Sequence, residues 1–300
     1  MRVGFIGLGT MGRPMALNLL RHRHEMTVYA RRPVSLEPLL ERGATAVATP
    51  AELAAQCDVV FTMLTGTRDV EEVVLAAGTG IIHGARPGTI VIDTSTIDPA
   101  CTRVIGERLS ASSIDLLDAP VSGGPQGAQD ATLSIMVGGN AEVIERARPL
   151  FNCIGTKILH MGSQGAGQVT KACHQLLLLV TAQGVAESLT LARRAGLDVE
   201  RVQQAMMGGM ASSRVLEFFG GRMARRDFAA GIESRLYHKD LDIVLQLAHA
   251  LGVALPAGAV TMQFINGLHG RGRGGDDLSS LITLVEAVGA LGVSQFPNTS

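Results

Sequence analysis

The sequence predicts an α/β half followed by an all-α half, the two being joined by a long helix. Up to about residue 160, short apolar segments rich in β-branched residues alternate with helix signals, which is typical of a parallel sheet with crossover helices. After Gly162 strand signals largely vanish, and one long helical stretch extends from about Ser163 to Ala195. We therefore predict two domains, 1–162 and 163–300.

The first strand runs into a glycine-rich turn. The apolar segment Val3–Ile6 precedes a G-x-G-x-x-G sequence, a predicted helix over 13–20 follows, and a second strand is expected over 26–30. Three glycines let the backbone turn tightly and approach a pyrophosphate, which then lies on the free amides of the helix N-terminus. An ordinary strand-to-helix turn explains one of the glycines but not all three. We expect a Rossmann-type dinucleotide-binding domain whose cofactor contacts include Gly7, Leu8, Gly9, Thr10, Met11 and Gly12.

The end of the second strand bears on the choice of cofactor. NAD enzymes usually have an Asp or Glu there that bonds the adenosine ribose, whereas this chain has Ala30, Arg31 and Arg32. Two guanidiniums are suited to bidentate contacts with a 2'-phosphate. The sequence therefore favours NADP(H), with NAD(H) possible. Two solvated loop arginines are the alternative.

The remaining elements follow from local signals. Further strands are expected over 58–64, 89–93 and 133–137. Helix starts are indicated at Thr49-Pro50, Asp98-Pro99, Asn140 and Asp198, and a helix end at Gly196. Apolar periodicity predicts two more helices over 237–251 and 256–268.

Composition limits the classes of partner. The 300 residues are 46% hydrophobic with a net charge of -1, enough for two cores but without the basic stripe that nucleic acid or an anionic membrane needs. The cysteines form no C-x-x-C pair, so neither a disulfide framework nor a zinc site is indicated. We expect no secretory signal, because Met1 leads directly into a strand, and no membrane span, because the apolar stretch 176–180 is soon interrupted by Gln183. These features favour a cytoplasmic protein.

A candidate anion-binding loop follows the first half's regular alternation. It contains Ser122, Gly123 and Gly124, followed by Pro125. A hydroxyl and two exposed backbone N–H groups can hold a carboxylate. Gly-Gly-Pro is also strong turn chemistry, so a plain turn is an equal alternative.

A lysine stands near the head of the long helix. Lys171 precedes Ala172 and a leucine run, which assigns it to the buried side of an amphipathic helix, where an ammonium is costly without a partner. A lysine extending from the helix edge to solvent is the alternative. Helical spacing places Gln175 one turn later on the same face, with His174 beside it. No His, Asp and Glu residues have metal-ligand spacing here, so we expect no metal site.

Four blocks, together spanning nearly the whole chain, give these residues a family context. The chain resembles the β-hydroxyacid dehydrogenase family, which includes 3-hydroxyisobutyrate dehydrogenases, tartronate semialdehyde reductases and glyoxylate/succinic semialdehyde reductases. The blocks are Gly7 to Gly12 with Pro14-Met15, Asp118 to Gly124 continuing to Met136-Val137-Gly138-Gly139, Gly167-x-x-x-Lys171, and His238-Lys239-Asp240-Leu241.

The resemblance implies roles for individual residues. Lys171 would be the catalytic general acid/base, which agrees with an ammonium stabilising charge on a reduced carbonyl oxygen. Ser122, Gly123 and Gly124 would anchor a substrate carboxylate, and His174 and Gln175 would lie at the substrate. Cofactor contacts would include Leu64, Thr96 and Lys239. The family forms dimers and tetramers, so a homodimer or homotetramer is expected.

The resemblance also implies a substrate class, a small 3-hydroxy acid and its semialdehyde. The pattern is most similar to bacterial tartronate semialdehyde (2-hydroxy-3-oxopropionate) reductases, including Ser213 to Leu216 and Asp277-x-Ser279. The substrate alternatives are 3-hydroxyisobutyrate, glyoxylate and succinic semialdehyde. An imine reductase usually lacks the lysine, and a nucleotide-binding regulator on the same fold is the non-enzyme alternative.

Three positions depart from the family pattern. His174 stands where Asn is frequent, and Gln175 replaces the Asn that ends Gly-x-x-x-Lys-x-x-x-Asn, as in tartronate semialdehyde reductase-like members. An imidazole changes size and donor geometry near a substrate. Ala131 stands where Gly is usual, which we interpret as a loop variation.

Overall fold

The computed structural model describes residues 1–290. Contacts divide the chain into one unit over Met1–Lys171 and a second that begins at Ala172. The division falls inside a continuous helix, Ala166–Arg194. The predicted domain boundary after Gly162 precedes this helix and stays a prediction.

A single sheet forms the centre of the first unit. Its strands are β1 (Arg2–Ile6), β2 (Glu25–Tyr29), β3 (Thr45–Ala46), β4 (Val59–Thr62), β5 (Ile90–Asp93), β6 (Asp115–Asp118), β7 (Val121–Ser122), β8 (Leu133–Gly138) and β9 (Gly155–Gly162). Their order is β3-β2-β1-β4-β5-β6-β8-β7, with β9 beside β8. The first six in this order are parallel, and the order 3-2-1-4-5-6 is that of a doubly wound dinucleotide-binding domain. The predicted Rossmann-type fold is confirmed.

The register brings the carboxyl ends of the parallel strands to one edge of the sheet. Ile6 lies opposite both Tyr29 and Thr62, Thr62 lies opposite Asp93, and Asp93 lies opposite Asp118. The loops that follow these strands therefore leave the sheet from the same edge. Ligands of open α/β sheets bind at this edge.

Several helices begin at the capping residues that the sequence predicts. The helices are α1 (Gly12–Arg21), α2 (Glu37–Leu40), α3 (Pro50–Gln56), α4 (Thr67–Leu75), α5 (Ile81–Gly84), α6 (Pro99–Ser110), α7 (Gly124–Gln129), α8 (Ala141–Phe151), α9 (Ala166–Arg194), α10 (Val199–Met207), α11 (Gly221–Arg225), α12 (Ser234–Leu251), α13 (Pro256–Gly270) and α14 (Leu281–Ala290). The predicted caps are present: side chains of Thr49, Asp98, Asn140 and Asp198 accept N–H groups at the starts of α3, α6, α8 and α10.

The sheet is covered on both faces, as the apolar strands predict. In β4, Phe61 packs in one core with Val3, Phe5 and Ile92, while Val60 packs in a second core on the opposite face. Continuous apolar strands of this kind suit a parallel sheet with helices on both sides.

The second unit is built from helices. On α9, Leu179, Ala182, Ala186 and Leu189 recur at helical spacing and pack into one core with residues of α12, α13 and α14. The described residues of this unit contain a single isolated bridge, Glu233 to Asp277, and no other strand pairing. The predicted all-α half is confirmed.

Helix α9 is also the one described helix long and apolar enough to cross a membrane by length and composition. Half of its most apolar window is buried inside the protein. The core helix of a water-soluble protein passes the same test, so this helix gives only weak evidence of a span.

A buried carboxylate attaches the head of α9 to the sheet edge. Asp118, at the end of β6, is fully buried; its Oδ1 accepts the backbone N–H of Gly165 at 2.7 Å and its Oδ2 accepts that of Gln168 at 2.9 Å. Gly167 lets the helix approach, because a Cβ there would overlap the carbonyl oxygens of Met136 and Asp118. The carboxylate thus serves as an N-terminal cap supplied from a distant strand.

The pKa of Asp118 makes this junction dependent on pH. Burial raises the pKa of its carboxyl to about 6, although the backbone donors of Gly165 and Gln168 act in the opposite direction. Its folded pKa lies above that of an unfolded Asp, about 3.9. The folded state therefore binds this proton more tightly than the unfolded chain does, and its titration lowers stability as pH rises between these values.

Asp118→Asn removes this titration. The free energy of unfolding of the Asn variant minus that of the wild type should therefore rise from about pH 4 to about pH 7, by up to about 3 kcal/mol. Urea denaturation across this range measures the difference, and Asp130→Asn, an exposed position, controls for loss of one carboxylate. A difference that is constant or falls with pH contradicts the expectation.

Ala131 has a backbone conformation that explains why glycine is usual there. Its φ is +56°, in the left-handed region that costs an L-residue roughly 1–2 kcal/mol. It lies just after the end of α7, a position where helices often end with glycine. The departure is therefore a strained position as well as a loop variation.

Ala131→Gly should raise the free energy of unfolding by about 0.5–1 kcal/mol, because relief of strain exceeds the added entropy of the unfolded chain. Ala111→Gly is the matched control: Ala111 has φ -60° at the end of α6, so this change should lower stability by about 0.5–1 kcal/mol. Urea denaturation of both variants measures the effects. Destabilisation of similar size in both would show that Ala131 is not strained.

Candidate active site

The three glycines of the G-x-G-x-x-G turn have different surroundings. Gly7 has φ +98°, and a Cβ there would overlap the carbonyl of Met63 after β4. A Cβ on Gly12 would overlap the carbonyl of Gly7, so this glycine lets α1 begin close to β1. At Gly9, by contrast, no atom of the described residues other than Gly9 and its chain neighbours lies within 4 Å of the Cβ position. The turn is packed beneath Gly7 and Gly12 and open at Gly9.

This geometry fits a dinucleotide. The neighbours of β1 are β2 and β4, so the strand order reverses at β1, and the crevice at such a reversal is where dinucleotides bind. Within residues 1–290, no side chain caps the N-terminus of α1, so its amides can receive a pyrophosphate. Open space at Gly9 permits close approach of the phosphates to the backbone.

The two arginines after β2 are exposed at the same sheet edge. The side chain of Arg31 is 73% exposed, and its guanidinium lies 3.3 Å from the carboxylate of Asp69 in the first turn of α4. Arg32 is exposed and Ala30 is half-buried. Both guanidiniums are therefore accessible to a phosphate, with one carboxylate beside Arg31.

Hydrogen bonds connect the loops that carry Leu64 and Thr96. The backbone N–H of Leu64 donates to Oγ of Ser95 at 2.8 Å. At the strand ends beneath, Oγ1 of Thr62 donates to Asp93 at 2.7 Å. The loops after β4 and β5 therefore form one connected structure. Its two predicted cofactor residues, Leu64 and Thr96, are both half-buried.

The predicted anion-binding loop contains a short strand. Val121 and Ser122 form β7, which pairs antiparallel with β8, so this part of the segment is not a free loop as the sequence suggested. Gly123 and Gly124 follow with φ +140° and +64°, and α7 begins at Gly124. Ser122 thus lies two residues before the first residue of the six-residue helix α7.

Lys171 is buried and lies beside this strand. Its side chain is 7% exposed, and Nζ donates a 2.8 Å hydrogen bond to the carbonyl of Val121. This burial excludes a lysine that extends from the helix edge to solvent. The amine is therefore held next to the residue that precedes Ser122.

In the second unit, Gln175 is part of a polar network. Its Nε2 donates to Oδ2 of Asp240 at 2.5 Å, and its Oε1 lies 2.9 Å from Nδ1 of His174. Nζ of Lys239 lies 2.8 Å from the other oxygen of Asp240. Since Oε1 can only accept, Nδ1 of His174 carries the hydrogen in this arrangement. The side-chain amide of Gln175 is thereby fixed in one orientation.

The predicted site residues fall into two groups, one in each unit. The first unit contains the glycine turn, the arginines, Leu64, Thr96, the Ser122 segment and Lys171; the second contains His174, Gln175 and Lys239. Asp118, Gln168 and Asp240 were not predicted as site residues, although each lies within a family block. The signal that would have found them is a polar residue in an otherwise buried stretch. Among residues 1–290, no three His, Cys, Asp or Glu side chains are grouped as metal ligands.

Comparison with protein-family models divides the chain between two matches. Residues 2–162 match the NAD binding domain of 6-phosphogluconate dehydrogenase. Residues 165–285 match the NAD-binding region of NADP-dependent 3-hydroxyisobutyrate dehydrogenase. The two matches leave only residues 163–164 between them, just before α9, and together they cover most of the chain.

Individual relatives align over almost their full length. The chain is 41% identical over 286 residues to 2-hydroxy-3-oxopropionate reductase of Escherichia coli, covering 95% of this chain and 97% of that protein. It is 34% identical over 294 residues to 2-(hydroxymethyl)glutarate dehydrogenase of Eubacterium barkeri, covering 98% and 97%. These relatives differ in substrate.

A solved structure agrees with the fold over the same extent. The 3-hydroxyisobutyrate dehydrogenase of Mycobacterium tuberculosis, solved with L-serine, has a TM-score of 0.86 and 30% identity, covering 94% of this chain and 98% of that one. Both the sequence and the fold thus agree with the predicted resemblance. The chain belongs to the family of NAD(P)-dependent 3-hydroxyacid dehydrogenases.

Proposed function

We propose that this enzyme is an NADP(H)-dependent reductase of tartronate semialdehyde (2-hydroxy-3-oxopropionate), interconverting it with the corresponding 3-hydroxy acid. The observation that carries the proposal is the buried amine of Lys171, 2.8 Å from the carbonyl of Val121. That carbonyl belongs to the strand that also carries Ser122. A proton donor and a carboxylate anchor are therefore adjacent.

Lys171 acts as the general acid/base. A bound nicotinamide supplies or accepts the hydride. The ammonium of Lys171 stabilises negative charge on the substrate oxygen and donates its proton there; the neutral amine takes a proton from the hydroxyl in the reverse direction. Burial strengthens this interaction because solvent screening is weak.

The Ser122 segment binds the substrate carboxylate. The Ser122 hydroxyl and the backbone N–H groups of Gly123 and Gly124 supply hydrogen-bond donors for it. Gln175 hydrogen-bonds a substrate hydroxyl with the second hydrogen of its Nε2. Its orientation is fixed by Asp240 and His174, so this donor is preorganised.

The substrate assignment is supported by the 41% identical relative and by Gln175. The other candidates are 3-hydroxyisobutyrate, glyoxylate and succinic semialdehyde. Values of kcat/KM for tartronate semialdehyde and these three compounds, measured with both cofactors, rank the four substrates directly. Absence of turnover with all four compounds in both directions would instead favour a nucleotide-binding regulator on the same fold.

We also infer a cytoplasmic homodimer or homotetramer. Leu177, Leu191 and Leu197 expose large apolar side chains on or just after α9. An interface with a second copy of the chain that covered these side chains would remove their apolar surface from water.

Lys171→Ala should lower kcat by about 10²–10⁴-fold, because proton transfer loses its donor. The Kd for NADPH, measured by fluorescence titration, should change little. Lys157→Ala removes an exposed lysine of β9 and is the matched control. Near-wild-type turnover by the Lys171 variant would remove lysine from this role.

Arg31→Ala should weaken NADPH binding by about 10- to 100-fold, the value of a charge-assisted contact of about 1.5–3 kcal/mol. NADH, which lacks the 2'-phosphate, should bind nearly as before. Arg42→Ala, at another exposed arginine of the same unit, controls for loss of surface charge. An unchanged ratio of NADPH to NADH affinity would contradict a phosphate contact by Arg31.

A further inference from the structure

Gln168 makes side-chain contacts that the reaction described above does not use. Its side chain is buried in the first turn of α9. Nε2 donates to the carbonyl of Ser95 at 2.8 Å, and Oε1 accepts the backbone N–H of Ile97 at 3.2 Å. Both ends of one side-chain amide therefore hold the two residues that flank Thr96.

The same residue is connected to the sheet edge through its backbone. The N–H of Gln168 donates to the Asp118 carboxylate at 2.9 Å, and the Ser95 hydroxyl accepts the N–H of Leu64 at 2.8 Å. Gln168 therefore contacts the loop after β5 and the end of β6 directly, and is connected to the loop after β4 through Ser95. The loop after β5, which it holds directly, carries the predicted cofactor residue Thr96.

Lys171 follows Gln168 by three residues, almost one helical turn along α9. Both residues belong to the same helical segment. The hydrogen bonds from Gln168 to Ser95 and Ile97 therefore also determine where residues 95–97 lie relative to the Lys171 backbone. At the far end of the Lys171 side chain, the amine donates a hydrogen bond to the carbonyl of Val121. A continuous path of hydrogen bonds and helix thus extends from the loop after β5 to the Ser122 strand.

We propose that Gln168 is a positioning residue, which sets the cofactor loop over 95–97 at a fixed distance from Lys171. The inference rests on the proposed acid/base role of Lys171 and adds a determinant of its geometry. Hydride and proton reach adjacent atoms of one carbonyl group, so the two donors must be aligned together. Displacement of a reacting group by about 1 Å can cost about 100-fold in rate.

A buried glutamine can also serve only to satisfy backbone groups. Such a role lowers stability when the glutamine is replaced but leaves the alignment of substrate and cofactor unchanged. Gln183 provides the matched comparison, since it is a buried glutamine of the same helix whose amide bonds Glu187 at 2.7 Å. It lies three turns beyond Lys171 and belongs to neither group of site residues.

The experiment compares Gln168→Met, Gln168→Glu and Gln183→Met with the wild type. Methionine keeps the length of the side chain and removes both hydrogen bonds. Glutamate keeps an acceptor for the Ile97 N–H but places a carboxylate oxygen beside the Ser95 carbonyl. The measurements are kcat, KM for the semialdehyde, the primary isotope effect with NADPH deuterated at C4, and hydrogen exchange of residues 95–97 without cofactor.

Gln168→Met should lower kcat by about 10- to 100-fold with little change in the KM for the aldehyde. The isotope effect should rise, because a misaligned hydride transfer becomes rate-limiting, and the Ile97 amide should exchange faster. Gln168→Glu should lie between wild type and Gln168→Met. Gln183→Met should keep the wild-type kcat and isotope effect even where its melting temperature falls.

Wild-type kcat and isotope effect in a folded Gln168→Met would overturn the proposal, as would an equal loss of kcat in Gln183→Met. Where Gln168→Met does not fold, Gln168→Glu, which loses the hydrogen bond to Ser95, overturns it by keeping the wild-type kcat and isotope effect. Failure of the proposed function is separate: it appears as a wild type inactive on every semialdehyde or as an active Lys171→Ala. In that case hydrogen exchange of the Ile97 amide in Gln168→Met tests the positioning role independently of activity. Unchanged exchange would show that Gln168 does not hold residues 95–97.

Discussion

The attachment of the α9 head to the carboxyl edge of the sheet is the constraint on which the site depends. Asp118 accepts two backbone N–H groups at this point, and Gln168 adds two side-chain hydrogen bonds to residues 95–97. These bonds join elements far apart in the chain. They fix the direction in which Lys171 leaves the helix, so the position of the amine is a property of the sheet as much as of its own helix.

The short strand β7 links the two chemical roles proposed for the first unit. Its first residue supplies the carbonyl that holds the Lys171 amine, and its second residue is Ser122. An ammonium at 7% exposure would be costly without such an acceptor. Val121 and Ser122 are adjacent in this strand, which pairs with β8. The sheet therefore fixes the spacing between the proposed proton donor and the proposed carboxylate anchor.

Local signals predicted much of this molecule, and nonlocal contacts explain what they missed. The glycine turn, the helix caps and the buried side of α9 depend on neighbouring residues, so G-x-G-x-x-G and Lys171 could be found from the sequence. Asp118 meets its donor Gly165 across 47 positions, and no periodicity indicates such a pair. Strand β7 has two residues and exists only through β8, so its sequence is equally compatible with a turn. The φ of Ala131 is likewise visible only in coordinates.

The capping of α9 by Asp118 also limits how the two halves can be exchanged among relatives. A junction placed after Gly162 would take Gly165 and Gln168 from one parent and Asp118 from the other. Unless the incoming helix approaches at the same angle, a fully buried carboxylate loses its donors. Chimeras should therefore be joined beyond Lys171, so that the first helical turns of α9 are inherited together with the sheet that receives them.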